Sequence, residues 1–141
     1  VAVGYFTIYG VSVGGYGIIK DVLKTRVYDV CRSVNRAAGR EIVPEDVITK
    51  PPSAERRPDQ FDDQSLPPYE VLDPILQLYV EDDRTAGEII ELGYDEEMVR
   101  RITRLVDIAE YKRRQTPPGV RVSRKAFGKD RRLPITSGYR G

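Results

Sequence analysis

No histidine and no tryptophan occur in the 141 residues, and there is one cysteine and one methionine. Without histidine the chain lacks the usual general base near neutral pH, the Ser-His and Cys-His nucleophile pairs, and most zinc sites. With Cys31 alone, an internal disulfide is excluded and a reducing, cytoplasmic setting is expected. No apolar run approaches the ~20 residues that span a bilayer. The opening "VAVGYFTIYG" has neither the basic region nor the cleavage site of a signal peptide. It starts in mid-pattern without methionine, so the chain is expected to be a piece of a longer protein. Whatever chemistry is present must rest on lysine, arginine, carboxylates, hydroxyls and backbone donors.

What is present is ordinary globular composition, 40% hydrophobic and 32% charged, with room for one modest core. The net charge of +1 conceals an asymmetry. Residues 41–99 hold 17 acids against four bases, whereas residues 111–141 hold ten bases against one acid. A basic tail suggests a phosphate-rich partner. The alternative of comparable weight is a tail docked on the acidic middle of its own chain.

Periodicity predicts mostly helices. Val27, Val30, Cys31 and Val34 form one apolar stripe from about Lys24 to a stop at Gly39, with Cys31 packing as a small hydrophobe. Pro44 suits the first turn of a short helix through Val47, and "VITK" reads as a short strand. Asp73 followed by Pro74 reads as an N-cap and first helical position, with Leu76, Tyr79 and Val80 buried. "TAGE" is a capping box from Thr85 to Glu88, with Gly93 closing that helix. Asp95 caps a longer helix with Val99, Ile102, Leu105, Val106 and Ala109 inward, ending at "EYKRRQTPPG". Between these lies "KPPSAERRPDQFDDQSLPPYE", with five prolines and few apolar side chains. Such a stretch buries too little to offset its own ordering, and long loops of this kind are binding elements or linkers. The glycine-rich "YGVSVGGYG" is neither a phosphate-cradling P-loop nor a dinucleotide fingerprint.

Four features suit phosphate: Lys24 at a helix start, Lys50 and Ser53 in the proline-rich loop, and "YKRRQ" at a helix end. Singly, each is an ordinary solvated side chain. In order, "VAVGYFTIYG", "GGYGIIKDVLKT", "TKPPSAERRPDQFDDQSLPPYEVLDPIL" and "EYKRRQTPPGVRVSRKAFGKDRRLPIT" resemble successive blocks of the bacterial glutamine-dependent NAD synthetases. The resemblance runs from Val1 to Tyr139, and the proline-rich loop and the tail are its most specific parts.

The resemblance implies an α/β, Rossmann-like fold of the adenine-nucleotide α-hydrolase type, of which residues 1–141 would be the mostly helical carboxy-terminal half. It implies ATP-dependent amidation of deamido-NAD to NAD through an acyl-adenylate, with magnesium accompanying ATP and ammonia delivered by a glutaminase domain. Lys24 and Ser53 then correspond to ATP-phosphate contacts. Lys112 corresponds to a deamido-NAD contact, with Tyr111 beside it where some relatives carry histidine. Tyr5, Phe6 and Tyr9 are candidates for the nicotinate end. The proline-rich loop would be a lid over ATP. A cytoplasmic homo-oligomer with no membrane or nucleic-acid partner is expected.

Several family features fall outside these residues: the SGGxDS pyrophosphate loop, a glutamate that helps to hold magnesium, and the Cys-Glu-Lys glutaminase. Val11 stands where an aspartate is common. Two other readings stay open, a different ATP-dependent amidating ligase of the same superfamily and a non-catalytic helical module whose tail binds nucleic acid.

Overall fold

Short-range signals place the helices, and long-range polar contacts fasten the loops to them. The structure, a computed structural model, describes residues 1–6, 13–50, 66–127 and 130–136. The chain divides into a larger unit, residues 1–22 with 74–141, and a smaller one, residues 23–73.

In the smaller unit α1 spans Lys24–Ala38 and ends at Gly39, whose φ of 63° is the left-handed conformation that glycine adopts without strain. The expected start and stop are both found, but the apolar stripe is not a buried face. Val30 and Val34 are 48% and 40% exposed, and among the described residues no α1 side chain is fully buried. Cys31 is half-buried. Helix α2 spans Glu45–Thr49 after Pro44 and buries Ile48. The expected "VITK" strand is therefore helix up to Thr49. Glu45 and Asp46 favour the first turn through the helix dipole, and no strand among the described residues offers a pairing partner.

The Asp73–Pro74 reading is also corrected. Helix α3 spans Tyr69–Leu76, beginning after Pro67–Pro68, with Pro74 inside it. The Pro68 carbonyl accepts from Val71 N at 3.0 Å and Leu72 N at 2.9 Å, so the proline pair sets the first turn. Pro74 removes one N–H from the ladder. A π-helical turn follows over Gln77–Glu81, where Asp82 N reaches the Gln77 carbonyl at 3.2 Å. Asp73, released from capping its own helix, accepts from Thr25 N at 2.8 Å and Thr25 Oγ1 at 2.9 Å near the start of α1.

The larger unit carries most of the core. Helix α4 spans Ala86–Glu91 behind the expected capping box, in which Thr85 and Glu88 bond reciprocally. Helix α5 spans Glu96–Ile108, with the Asp95 side chain accepting from Met98 N at 2.8 Å. Its inward stripe of Val99, Ile102 and Val106 is buried, as are Ile75, Val80 and Ile89, and Leu76 and Tyr79 are buried as expected. The helical path breaks at Ala109 and resumes as α6, Glu110–Arg114.

Beyond α6 the described tail has no helix, and its only pairing is an isolated bridge between Phe127 and Arg131. Its basic residues dock on acidic and aromatic groups of the larger unit. Arg124 bonds Asp82 at 2.5 Å, Lys125 pairs with Asp83, and the Arg131 guanidinium lies 3.9 Å from the Tyr79 ring centre. Two of the ten bases in residues 111–141 thus pair with acids in the middle of the same chain.

Candidate functional site

In the smaller unit, Lys24 is the first residue of α1, half-buried, with Nζ 5.2 Å from the centre of the Tyr28 ring. A helix start ordinarily offers free N–H groups to an anion. Here the Asp73 carboxylate already takes the Thr25 N–H, which leaves the start of α1 one donor fewer for an anion. Burial pushes the Asp73 carboxyl above its ordinary value, partly countered by the two Thr25 bonds. Tyr28 also lines an open cleft of about 490 Å³ with Thr25, Arg32, Lys50 and Glu70. Of the expected phosphate-facing lysines, Lys50 lines this cleft, whereas Lys24 only contacts the Tyr28 ring in its wall. Ser53, Tyr9, Val11 and the proline-rich loop from 51 to 65 lie outside the described residues.

In the larger unit, "EYKRRQ" folds as α6 and separates its charges by side. Glu110 and Arg113 are buried, 1% and 4% exposed, whereas Tyr111 is 41% exposed. Glu110 Oε2 meets Arg113 Nη2 at 2.9 Å, and its Oε1 meets Arg114 Nε at 2.8 Å. Arg113 also donates to the carbonyls of Ala2, at 2.6 Å, and Val106. Burial alone would raise the Glu110 pKa, but bonds from Arg114 and Arg113 hold it below the ordinary carboxylate value. Burial lowers the Arg113 pKa against the pull of Glu110, and an arginine still remains cationic.

That buried pair sets the frame for Lys112. Its ammonium donates to the Gly4 carbonyl at 2.8 Å and the Phe6 carbonyl at 3.1 Å, with Nζ 5.7 Å from the Phe6 ring centre. Gly4 permits the approach, since its φ is +67° and a Cβ there would lie 2.7 Å from Ala109 Cβ. An ammonium has three donors, so two carbonyl bonds leave one for a ligand. The structure thus joins Lys112 to Phe6, with Tyr111 as the adjacent exposed aromatic.

Sequence reasoning missed Asp21. Its side chain is buried, 3% exposed, and accepts from Val122 N, Ser123 N and Ser123 Oγ at 2.8 Å each and from Phe127 N at 3.0 Å. Burial alone would raise its pKa, but the bonds from Ser123, Val122 and Phe127 outweigh burial and hold it below the ordinary value. The available signal was a lone acid in the apolar run "IIKDVL", on no polar helix face. Among the described residues no three metal-ligating side chains converge. No helix among the described residues is long and apolar enough to cross a membrane.

Known proteins share these elements. The family described as NAD synthase matches residues 1–116. The glutamine-dependent NAD(+) synthetase of Acinetobacter baylyi is 50% identical over 139 residues, which cover 99% of this chain and 26% of that protein. The Thermotoga maritima enzyme of the same description is 49% identical over 139 residues, covering 99% and 24%. In solved structures, the glutamine-dependent NAD+ synthetase of Acinetobacter baumannii in complex with ADP superposes with a TM-score of 0.51. It is 43% identical and the match covers 96% of this chain and 23% of that one. The chain spans about a quarter of the length of the curated relatives it matches. The expected adenine-nucleotide α-hydrolase fold class is that of the matched domain, and the helices described above are its part in this chain. Matched over residues 1–116 and across nearly its whole length by these relatives, the chain belongs to the NAD synthase family.

Proposed function

We propose that residues 1–141 form the carboxy-terminal part of the synthetase domain of a glutamine-dependent NAD synthetase, acting in the cytoplasm as a homo-oligomer. The observation that carries this reading is about 50% identity over 139 residues to a glutamine-dependent NAD(+) synthetase. In the reaction, the nicotinate carboxylate of deamido-NAD attacks the α-phosphorus of ATP. The Pα–O–Pβ bond breaks and pyrophosphate leaves. Ammonia, supplied by a glutaminase domain, then attacks the acyl carbon, loses a proton, and AMP departs. No protein nucleophile is required, which agrees with a chain that has no histidine.

In this reading the protein aligns two polyanions and stabilises charge as it develops. Lys24, with Ser53, meets the ATP phosphates. Lys112 uses its remaining donor on deamido-NAD, with Tyr111 beside it. Support for the second assignment is the fixed position of the ammonium between Gly4, Phe6 and α6. Magnesium accompanies ATP on ligands outside the described residues.

The test is NAD formation from deamido-NAD, ATP and ammonia, measured for the full-length polypeptide that contains these residues and for the 141-residue chain alone. The full-length protein is expected to form NAD and the isolated chain none, because the phosphate-binding loop of the family is not among its residues. NAD formation by the isolated chain would overturn the assignment of that loop elsewhere. No NAD formation by either protein would overturn the proposed reaction.

A further inference from the structure

Residues 17–21 and 116–127 are fastened together by a run of bonds in the larger unit that the reaction described above does not use. Gly17 N donates to the Pro118 carbonyl at 2.8 Å. Lys20 Nζ donates to the Pro117 carbonyl at 2.6 Å and to Thr116 Oγ1 at 3.2 Å. Asp21 receives its four bonds from Val122, Ser123 and Phe127. The two segments touch so closely that a Cβ on Gly119 would lie 2.2 Å from the Gly17 carbonyl oxygen.

This clamp acts on the end of α6. Thr116, which accepts from Lys20, donates through its hydroxyl to the Arg113 carbonyl at 2.6 Å and through its N–H to the same carbonyl at 3.2 Å. Gln115 N donates to the Lys112 carbonyl at 3.0 Å. A path of single hydrogen bonds therefore runs from Lys20 through Thr116 to the last turn of the helix that carries Lys112. Two forces hold α6: the Glu110–Arg113 pair from inside and the clamp from its carboxy-terminal end.

We propose that Asp21 and Lys20 are positioning residues that fix the end of α6, and with it Lys112, by clamping the segment Thr116–Phe127. The proposal rests on the assignment of Lys112 to deamido-NAD. Asp21 is the stronger member, because it is buried and acts as acceptor in four bonds. Asparagine there keeps the shape but replaces one acceptor oxygen with a donor, which opposes either the Val122–Ser123 pair or Phe127.

The experiment compares Asp21→Asn, Lys20→Met and Gly119→Ala in the full-length protein. Steady-state constants are measured for deamido-NAD and ATP, and amide exchange is followed at residues 112–116. Asp21→Asn is expected to raise KM for deamido-NAD about tenfold, the scale of a lost charge-assisted hydrogen bond, and to leave KM for ATP within about twofold. Lys112→Ala should raise the same constant, and adding Asp21→Asn to it should bring little further change, since both act on one contact. Exchange at residues 112–116 should quicken in each clamp variant. A merely structural role would shift both KM values together or add fully to Lys112→Ala, and either result would overturn the proposal. If Asp21→Asn does not fold, Lys20→Met and Gly119→Ala are read by the same criteria. If the full-length protein does not amidate deamido-NAD, the proposed reaction fails, while unchanged exchange at residues 112–116 separately refutes the clamp.

Discussion

Replacing Lys24 with alanine in the full-length protein is expected to lower kcat by about 10²–10³, the usual cost of one group that stabilises charge formed in the transition state. In the proposed reaction, charge accumulates around the α-phosphorus as pyrophosphate departs, and an ammonium held near it gains interaction as the barrier is climbed. Lys24 suits this role because its Nζ is oriented by the Tyr28 ring, 5.2 Å away. The N–H groups at the start of α1 cannot substitute fully, since the Thr25 N–H is already bonded to Asp73 at 2.8 Å. Lys112→Ala should behave differently and raise KM for deamido-NAD more than it changes kcat, as loss of uniform binding does. Steady-state kinetics with each substrate varied in turn will separate them. Identical patterns for the two variants would refute this division of roles.

The largest stability effect is expected from Glu110→Gln. The substitution keeps the shape of the side chain, so it creates no cavity, but it leaves the buried Arg113 guanidinium without its carboxylate. Breaking one partner of a buried ion pair costs about 3–5 kcal/mol, a large share of a domain's stability. Arg113 retains the Ala2 and Val106 carbonyls as acceptors, which places the expected loss toward the lower end. Urea unfolding of the variant beside the parent measures it. A midpoint shift equivalent to under about 1 kcal/mol, the range of a solvent-screened pair, would contradict a structural role for the pair.

The same groups determine the response to acid. Glu110 and Asp21 both have folded-state pKa values held below their ordinary 4.5 and 3.8. Their contributions are therefore complete above those ordinary values and disappear as pH falls through the lowered ones. The contributions of Glu110 and Asp21 to the larger unit should accordingly be lost in acid, and the Asp21 clamp should open once its carboxylate takes up a proton.

How legible this was in the sequence depended on how far apart the interacting residues lie. Thr85 with Glu88, Asp95 with Met98, and Gly39 at the end of α1 were readable because each cap acts within three or four residues. The inward face of α5 was readable because helical period and burial agree there. Asp73 was misread because its motif is local and its actual partner, Thr25, is 48 residues away. The partners of Asp21 were unreadable for the same reason, since they lie about a hundred residues downstream. The stripe on α1 was correctly placed on one face, but periodicity specifies a face and not what covers it. For the candidate site, residue types and order led to Lys24 and Lys112. That two of the donors of Lys112 are taken by the Gly4 and Phe6 carbonyls became evident only from the fold.

If these residues belong to a site where ATP adenylates deamido-NAD before ammonia arrives, the products must show it. The decisive measurement is product analysis with the full-length protein, ATP and deamido-NAD, with and without ammonia, resolving AMP from ADP and pyrophosphate from phosphate. One AMP and one pyrophosphate are expected per NAD formed, together with deamido-NAD-dependent exchange of labelled pyrophosphate into ATP when ammonia is left out. Release of ADP and phosphate instead, or pyrophosphate exchange that is indifferent to deamido-NAD, would contradict the proposed reaction.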